Sequence, residues 1–265
     1  MRIQLEFELS GARQLLTFNY QYPISCWIYK VLDQGDGKFA KFLHNSGYQL
    51  DNGKQFKLFT FSSLRFPRGT TEVNKRLPAY LSVESRKAYL DISFYLPEQM
   101  NPFVMGLFKD QDVQIGDLRS VLRMKVKNVE MKESPALTES GSVNMRAKTP
   151  VVLGDQKADE QYEQYIIPLH GDYAGIMKQS ILDKCKAANI EVSDPDQIEF
   201  RVTKLETRTS LQHIKADTSA ATKVRGYYYN FEINAPKKVY ELILAAGIGS
   251  MNSLGFGMCE LVSEN

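Results

Sequence analysis

The chain has 265 residues, of which 43% are hydrophobic and 24% charged, and a formal net charge of +2. This is the composition of a soluble globular protein long enough for one large or two small domains, and the net charge is too small to announce a nucleic-acid binder. No apolar run approaches the ~20 residues of a membrane span, and the N-terminus carries no signal-peptide pattern. Cys26, Cys185 and Cys259 are three, widely spaced and without a CxxC pair. They argue against a disulfide framework or structural zinc site and fit a reducing cytoplasm. Residues 1–133 hold 19 Lys and Arg against 14 Asp and Glu, and the remainder 14 against 17. The N-terminal half is thus the better seat for a phosphate backbone.

Residues 1–9 alternate strictly, which predicts a strand with Ile3, Leu5, Phe7 and Leu9 on one face and Arg2, Gln4, Glu6 and Glu8 on the other. Pro23 opens a predicted helix carrying Ile24, Trp27, Ile28, Val31 and Leu32 at helical spacing. Gly35-Asp36-Gly37 ends it, and a short second helix follows, with Phe39, Phe42 and Leu43 as its stripe and Asn45-Ser46-Gly47 as its close. Residues 56–63 are expected as a strand, before a loop rich in Pro, Gly and Arg (Arg65, Pro67, Arg68, Gly69). Strand structure is expected again over 83–96, a helix over 98–108, and an extended region over 112–129 with Arg119, Arg123, Lys125 and Lys127. The order is βαββαβ, the ferredoxin-like arrangement.

Residues 132–149 are polar, a linker plus the first pairing segment of a second unit. A helical pattern covers 160–188, with Tyr165, Leu169, Ile176, Ile181 and Leu182 as core and with Pro168 and Gly171 as interruptions. Strands over 198–207 and 223–235 flank a polar hairpin that holds His213. Pro236 starts a short helix through Val239, Leu242, Ile243 and Ala246, and residues 257–262 form a closing strand. The βαββαβ order recurs without a residue-level repeat. The expected fold class is α+β, two tandem ferredoxin-like (βαββαβ, RRM-like) domains over 1–131 and 132–265.

Among residues able to carry chemistry, His44 points ~140° away from the middle of its helix stripe and lies in the last turn, where the helix dipole favours positive charge. A poised acid/base is one reading and an exposed C-capping histidine the other. Tyr29 repeats the geometry on the preceding helix, so the Gly-Asp-Gly joint can bring its phenol near His44; a packing tyrosine with a wet hydroxyl is the alternative. Lys57 opens the 57–62 segment, where an edge charge is the plain reading. Asp33 and Asp36 lack the partners a two-metal site needs. His170 and His213 read as surface residues. In Arg225-Gly226-Tyr227-Tyr228-Tyr229-Asn230-Phe231, the row Tyr227, Tyr229, Phe231 and Ile233 reads as core, which leaves Tyr228 as the base-stacking candidate. Near the C-terminus, Gly247-Ile248-Gly249-Ser250-Met251-Asn252-Ser253-Leu254-Gly255-Phe256-Gly257 sets two Gly-apolar-Gly triplets around five residues. It is either a tight turn or a loop whose free amides suit phosphate.

That glycine stretch resembles the C-terminal loop of the CRISPR-associated repeat-RNA endoribonucleases, the Cas6 family of the RAMP superfamily. Trp27-Ile28-Tyr29-Lys30, Phe42-Leu43-His44 and Lys57-Leu58-Phe59-Thr60 are similar, in order, to that family's Tyr, His and Lys segments. Thr149-Pro150-Val151 resembles its Ser-Pro-Ile segment, with Thr in place of Ser. Lys54 rivals Lys57, because the segment between His44 and Lys57 looks longer than in the family's better-studied archaeal members. The resemblance implies metal-independent cleavage of CRISPR repeat RNA by 2′-hydroxyl attack, leaving a 2′,3′-cyclic phosphate and a 5′-hydroxyl. His44, Tyr29 and Lys57 would be catalytic, with Tyr29 and His44 both open as the base, and no metal or cofactor is needed. Gly247, Gly249, Ser250, Asn252, Ser253, Gly255 and Gly257 would seat the RNA. Repeat RNA is the implied partner, with effector-complex subunits and a second copy of the chain as others, no membrane, and a cytoplasmic location. A non-catalytic RNA-binding RAMP-type subunit of an effector complex is the alternative, since it shares the loop.

Overall fold

The computed structural model describes residues 1–11, 13–139, 141–155, 164–215 and 221–262. Strand β1 (Arg2–Leu9) is followed by β2 (Gln14–Thr17), helices α1 (Gln21–Gly35) and α2 (Gly37–Asn45), and the short strands β3 (Tyr48–Gln49), β4 (Gln55–Phe56), β5 (Phe59–Phe61) and β6 (Thr71–Val73). Strands β7 (Tyr80–Val83) and β8 (Lys87–Phe94), helix α3 (Pro97–Lys109) and the hairpin β9 (Asp112–Gly116) and β10 (Val121–Lys132) complete the first half. Its antiparallel sheet runs β5-β8-β1-β10-β9. Ile3, Leu5, Phe7 and Leu9 are buried, as the alternation requires, in one core with Trp27, Ile28 and Phe103 of α1 and α3.

The second half contains β11 (Ser142–Ala147), β12 (Gly154–Asp155), β13 (Gln164–Tyr165), α4 (Tyr173–Ala187), β14 (Glu199–Ile214), β15 (Thr222–Asn234), α5 (Lys237–Ala246), a 3-10 turn at Asn252–Leu254 and β16 (Cys259–Leu261). The sheet order β14-β15-β11-β16 repeats that of β5-β8-β1-β10 when strands are numbered within each βαββαβ unit. The ferredoxin-like arrangement is therefore present twice, in tandem.

Four local expectations need correction. The strand over 56–63 is broken at Leu58, whose φ of 52° takes the chain out of the ladder; Leu58 is buried in the second core instead. On α2 the buried residues are Ala40 and Leu43, whereas Phe42 is 42% exposed and stacks edge-on against Tyr48. Helix α4 begins only at Tyr173, because 164–165 pair as a strand with 154–155 and Leu169 is exposed; residues 160–163 of that predicted helix lie outside the described residues. His213 lies on β14 rather than in the turn beyond it.

The polar face of β1 meets the second half. Arg2 donates to Leu244 O and Cys259 O at 2.8 and 2.9 Å. Asp91, on β8 beside it, is 3% exposed and accepts from Gln4, Arg65 and Lys148 at 2.9, 2.8 and 2.7 Å. Burial alone would raise the Asp91 carboxyl, but these partners hold it below the ordinary value. Lys148 precedes the Thr149-Pro150-Val151 segment, so this ion cluster ties the two sheets together.

Candidate functional site

Three of the singled-out side chains come together where α1, α2 and the chain after β4 meet. Asp36 ends α1 and caps α2, accepting from Lys38 N and Phe39 N at 3.0 Å each. The tight joint folds α2 back on α1, so that the Tyr29 and His44 rings stand edge to face, 5.2 Å between centroids. Tyr29 also packs edge-on against Phe59 of β5. The positive φ at Leu58 interrupts the strand directly after Lys57, and Lys57 Nζ donates to His44 O at 3.0 Å. Gly47 lies alongside: a Cβ there would meet Phe56 O at 2.5 Å and the Lys57 side chain at 2.9 Å. Gln99 of α3 holds Lys57 O at 2.7 Å. Lys54 points elsewhere, to Asp183 of α4 at 2.8 Å.

The local chemistry differs among the three. His44 is exposed, and its Nδ1 lies 3.1 Å from Asn45 Oδ1. An amide oxygen only accepts, so a neutral ring that makes this bond carries its proton on Nδ1 and presents a lone pair at Nε2. Burial pushes the Tyr29 phenol up to about 12, against the opposing effect of the neighbouring Ser253 side chain. Burial also lowers the Lys57 ammonium from its ordinary value.

The Ser253 contact brings the glycine stretch to the same place from more than two hundred residues away. Ser25 Oγ of α1 donates to Ser253 O at 2.7 Å, one turn before Tyr29, and Thr60 Oγ1 donates to Phe256 O at 3.1 Å. The glycines are required by packing. Gly249 has φ 66°, and a Cβ would stand 2.2 Å from Val152 O; at Gly255, with φ 85°, it would strike the Phe61 ring at 2.6 Å. The amides of Gly247, Ser250, Gly255 and Gly257 donate to Ile243 O, Val152 O, Asn252 O and Pro150 O. Asn252 uses its amide nitrogen on Ile248 O and Phe256 O, across the loop. Of the seven residues expected to seat RNA, then, these five are engaged in holding the loop, and Ser253 faces the Tyr29–His44 corner.

Other expectations resolve structurally. Thr149 is fully buried, and its Oγ1 accepts from Met258 N at 2.9 Å, a brace for the end of the loop. Tyr228 is no open stacking platform: it is 9% exposed and lies under Arg208, 3.8 Å from ring centroid to guanidinium. His170 Nδ1 accepts from Asp172 N in the turn before α4. The His213 backbone N–H bonds Asn19 Oδ1. Among the described residues no cluster of three His, Cys, Asp or Glu is arranged to hold a metal ion, and no helix is long and apolar enough to cross a membrane.

Sequence reasoning missed Lys184. It is 3% exposed on α4, and its Nζ bonds Gly247 O, Gly249 O and Asn252 Oδ1. The available signal was a lysine at helical spacing in the Tyr173, Met177, Ile181 stripe, where an apolar residue is expected.

Residues 15–127 match the family model for the N-terminal part of the CRISPR-associated protein Cas6, and residues 130–261 match that for the Cas6 C-terminal part. The chain is 27% identical over 268 residues to the CRISPR-associated endoribonuclease Cas6 1 of Methanocaldococcus jannaschii, covering 100% of this chain and 94% of that one. It is 25% identical over 245 residues to the CRISPR-associated endoribonuclease Cas6 of Pyrococcus furiosus, covering 92% and 83%. The solved structure of a Cas6-related protein from Pyrococcus furiosus superposes with a TM-score of 0.79 at 18% identity, over 100% of this chain and 99% of that one.

Proposed function

We propose, for a chain that belongs to the CRISPR-associated Cas6 protein family, endonucleolytic processing of CRISPR repeat RNA. The observation that carries the catalytic assignment is the convergence of Tyr29, His44 and Lys57, with Ser253 of the glycine loop held to Ser25 one turn before Tyr29. His44 takes the 2′-hydroxyl proton at Nε2, the ring nitrogen that holds a lone pair in the tautomer donating from Nδ1 to Asn45 Oδ1. The freed oxygen attacks the neighbouring phosphorus, and the 5′-oxygen leaves with a proton. Tyr29 fits the donor's side, because a phenol pushed up to about 12 stays protonated at neutral pH. Lys57 offsets the negative charge that builds on the phosphoryl oxygens. The products are a 2′,3′-cyclic phosphate and a 5′-hydroxyl, and the scheme balances without a metal.

In this reading 1–131 is the catalytic domain and 132–265 the loop-bearing one, with RNA lying across the basic half. Because the glycine amides named above are engaged internally, RNA contacts at the loop fall to the backbone amides of Met251–Ser253 and the Ser253 side chain. The reading places the protein in the cytoplasm, with effector-complex subunits as recipients of the product and a second copy of the chain as the other protein partner. The test is cleavage of a cognate repeat RNA in excess chelator. Cleavage is expected to persist there, to vanish with His44→Ala, and to be blocked by a 2′-deoxy nucleotide at the scissile position. Tight binding without cleavage across several repeats would favour a binding subunit. Full activity in His44→Ala would remove the catalytic assignment and leave family membership intact.

A further inference from the structure

Two adjacent residues of α4 hold the two segments that meet at Tyr29. Lys184 Nζ lies 2.5 Å from Gly247 O, 3.3 Å from Gly249 O and 2.7 Å from Asn252 Oδ1. An ammonium has three N–H donors, and three oxygens of one loop accept them. Asn252 carries that hold across the loop through its amide nitrogen, and Ser253 follows it, fixed by its carbonyl to Ser25, one turn before Tyr29, with its side chain beside the Tyr29 phenol. Asp183, 4% exposed, accepts from Lys54 Nζ at 2.8 Å and from Gln179 Nε2 at 2.8 Å. Lys54 sits in the β3–β4 hairpin, the segment that joins His44 to Lys57.

Burying a lysine is unfavourable. Desolvation brings Lys184 down to about 7, and an apolar side chain of similar length would avoid that cost. What Lys184 supplies is geometry. A loop with several left-handed residues has a wide choice of conformations, and one interior cation with three fixed acceptors selects one of them.

We propose that Asp183 and Lys184 are positioning residues for the cleavage reaction: through Asn252 and Ser253, and through Lys54, they set the Tyr29 hydroxyl and the Lys57 ammonium against His44. The proposal rests on the reading in which those three groups do the chemistry. Both residues are buried on α4 and act through others.

The experiment measures single-turnover cleavage rate, RNA affinity and thermal melting separately for Lys184→Met, Ser253→Ala and the double variant, with Asp183→Asn, Lys57→Met and their double variant as a second cycle. Lys184→Met is expected to lower the rate on the order of 10²-fold, as a misplacement near 1 Å does, with RNA affinity unchanged. In the Ser253→Ala background most of that loss disappears, because both changes act on one hydroxyl. Asp183→Asn likewise loses most of its effect on the rate in the Lys57→Met background. A Lys184→Met protein that melts lower but cleaves at the wild-type rate below its melting temperature overturns the proposal, as do losses that multiply in the double variants. If Lys184→Met does not fold, Asn252→Ala removes the side-chain acceptor and is judged by the same criteria. A fully active His44→Ala variant would sink the underlying reading. An inactive His44→Ala beside a fully active Lys184→Met would sink only this one.

Discussion

Replacing Tyr29 with Phe removes one oxygen and keeps the ring that packs against His44 and Phe59. With the phenol pushed up to about 12, the phenolate at pH 7 is about one molecule in 10⁵. Using it as the base would add on the order of 7 kcal/mol to the barrier, at 1.36 kcal/mol per pH unit. Imidazole, by contrast, changes charge between pH 5 and 8. Tyr29→Phe keeps the buried ring and removes only the hydroxyl beside Ser253, a folding cost of at most about 1 kcal/mol, so unfolding will not obscure the kinetics. The assay is single-turnover cleavage of repeat RNA from pH 5.5 to about 9.5, spanning the ordinary imidazole range and stopping short of the phenol. Tyr29→Phe should lose about 10²-fold in rate, with the pH profile otherwise unchanged in shape. If Tyr29 were the base, the wild-type rate would climb tenfold per pH unit above neutrality, and the climb would vanish in Tyr29→Phe. That outcome refutes the proton assignment.

Lys57→Met should slow single-turnover cleavage by about 10²-fold, whereas Lys54→Met should cost less than about tenfold, since Lys54 is bridged to Asp183 and acts only on position. Gly249→Ala should destabilise by about 3 kcal/mol in urea unfolding, from a left-handed φ and a Cβ 2.2 Å from Val152 O. Gly53→Ala, with φ 84° and open space around it, should cost only about 1 kcal/mol, and equal losses would show that packing is not the cause. Asp91 is held below the ordinary carboxyl value of 3.8, so its contribution is present above that pH and is lost as the pH falls through the lower folded value. Asp91→Asn should therefore be less stable than wild type by about 2 kcal/mol at neutral pH, with the gap closing in acid; a gap of the same size at both ends would contradict the ion-cluster account.

The periodic elements were legible because each rests on a local rule. Alternation fixed the buried face of β1, helical spacing fixed that of α1, and Gly-Asp-Gly fixed the joint that lets α2 fold back. Where the sequence misled, a longer-range contact competed with the local pattern. Leu58 left its predicted strand to fill the second core, Phe42 gave its place to Ala40, and 164–165 paired as a strand instead of extending α4. Tyr228 looked like a stacking platform only because the neighbour above it, Arg208, is twenty residues away on another strand.

For the site, local sequence determined which side chains were available: an outward-facing His44 and Tyr29, a lysine at the start of a strand, and glycines that permit left-handed backbone. It could not determine which groups touch. Hydrogen bonds and ring contacts act over a few ångströms: Ser253 and Ser25 reach that range only after the two halves have packed, and Lys184 and Asn252 only after the second half has folded. Tertiary structure alone put Lys57 on His44 O and Lys54 on Asp183, gave Asn252 an inward role, and turned a lysine in an apolar stripe into the anchor of the glycine loop. Pattern is a property of neighbours along the chain; a three-point anchor on a loop sixty residues further on is a property of packing.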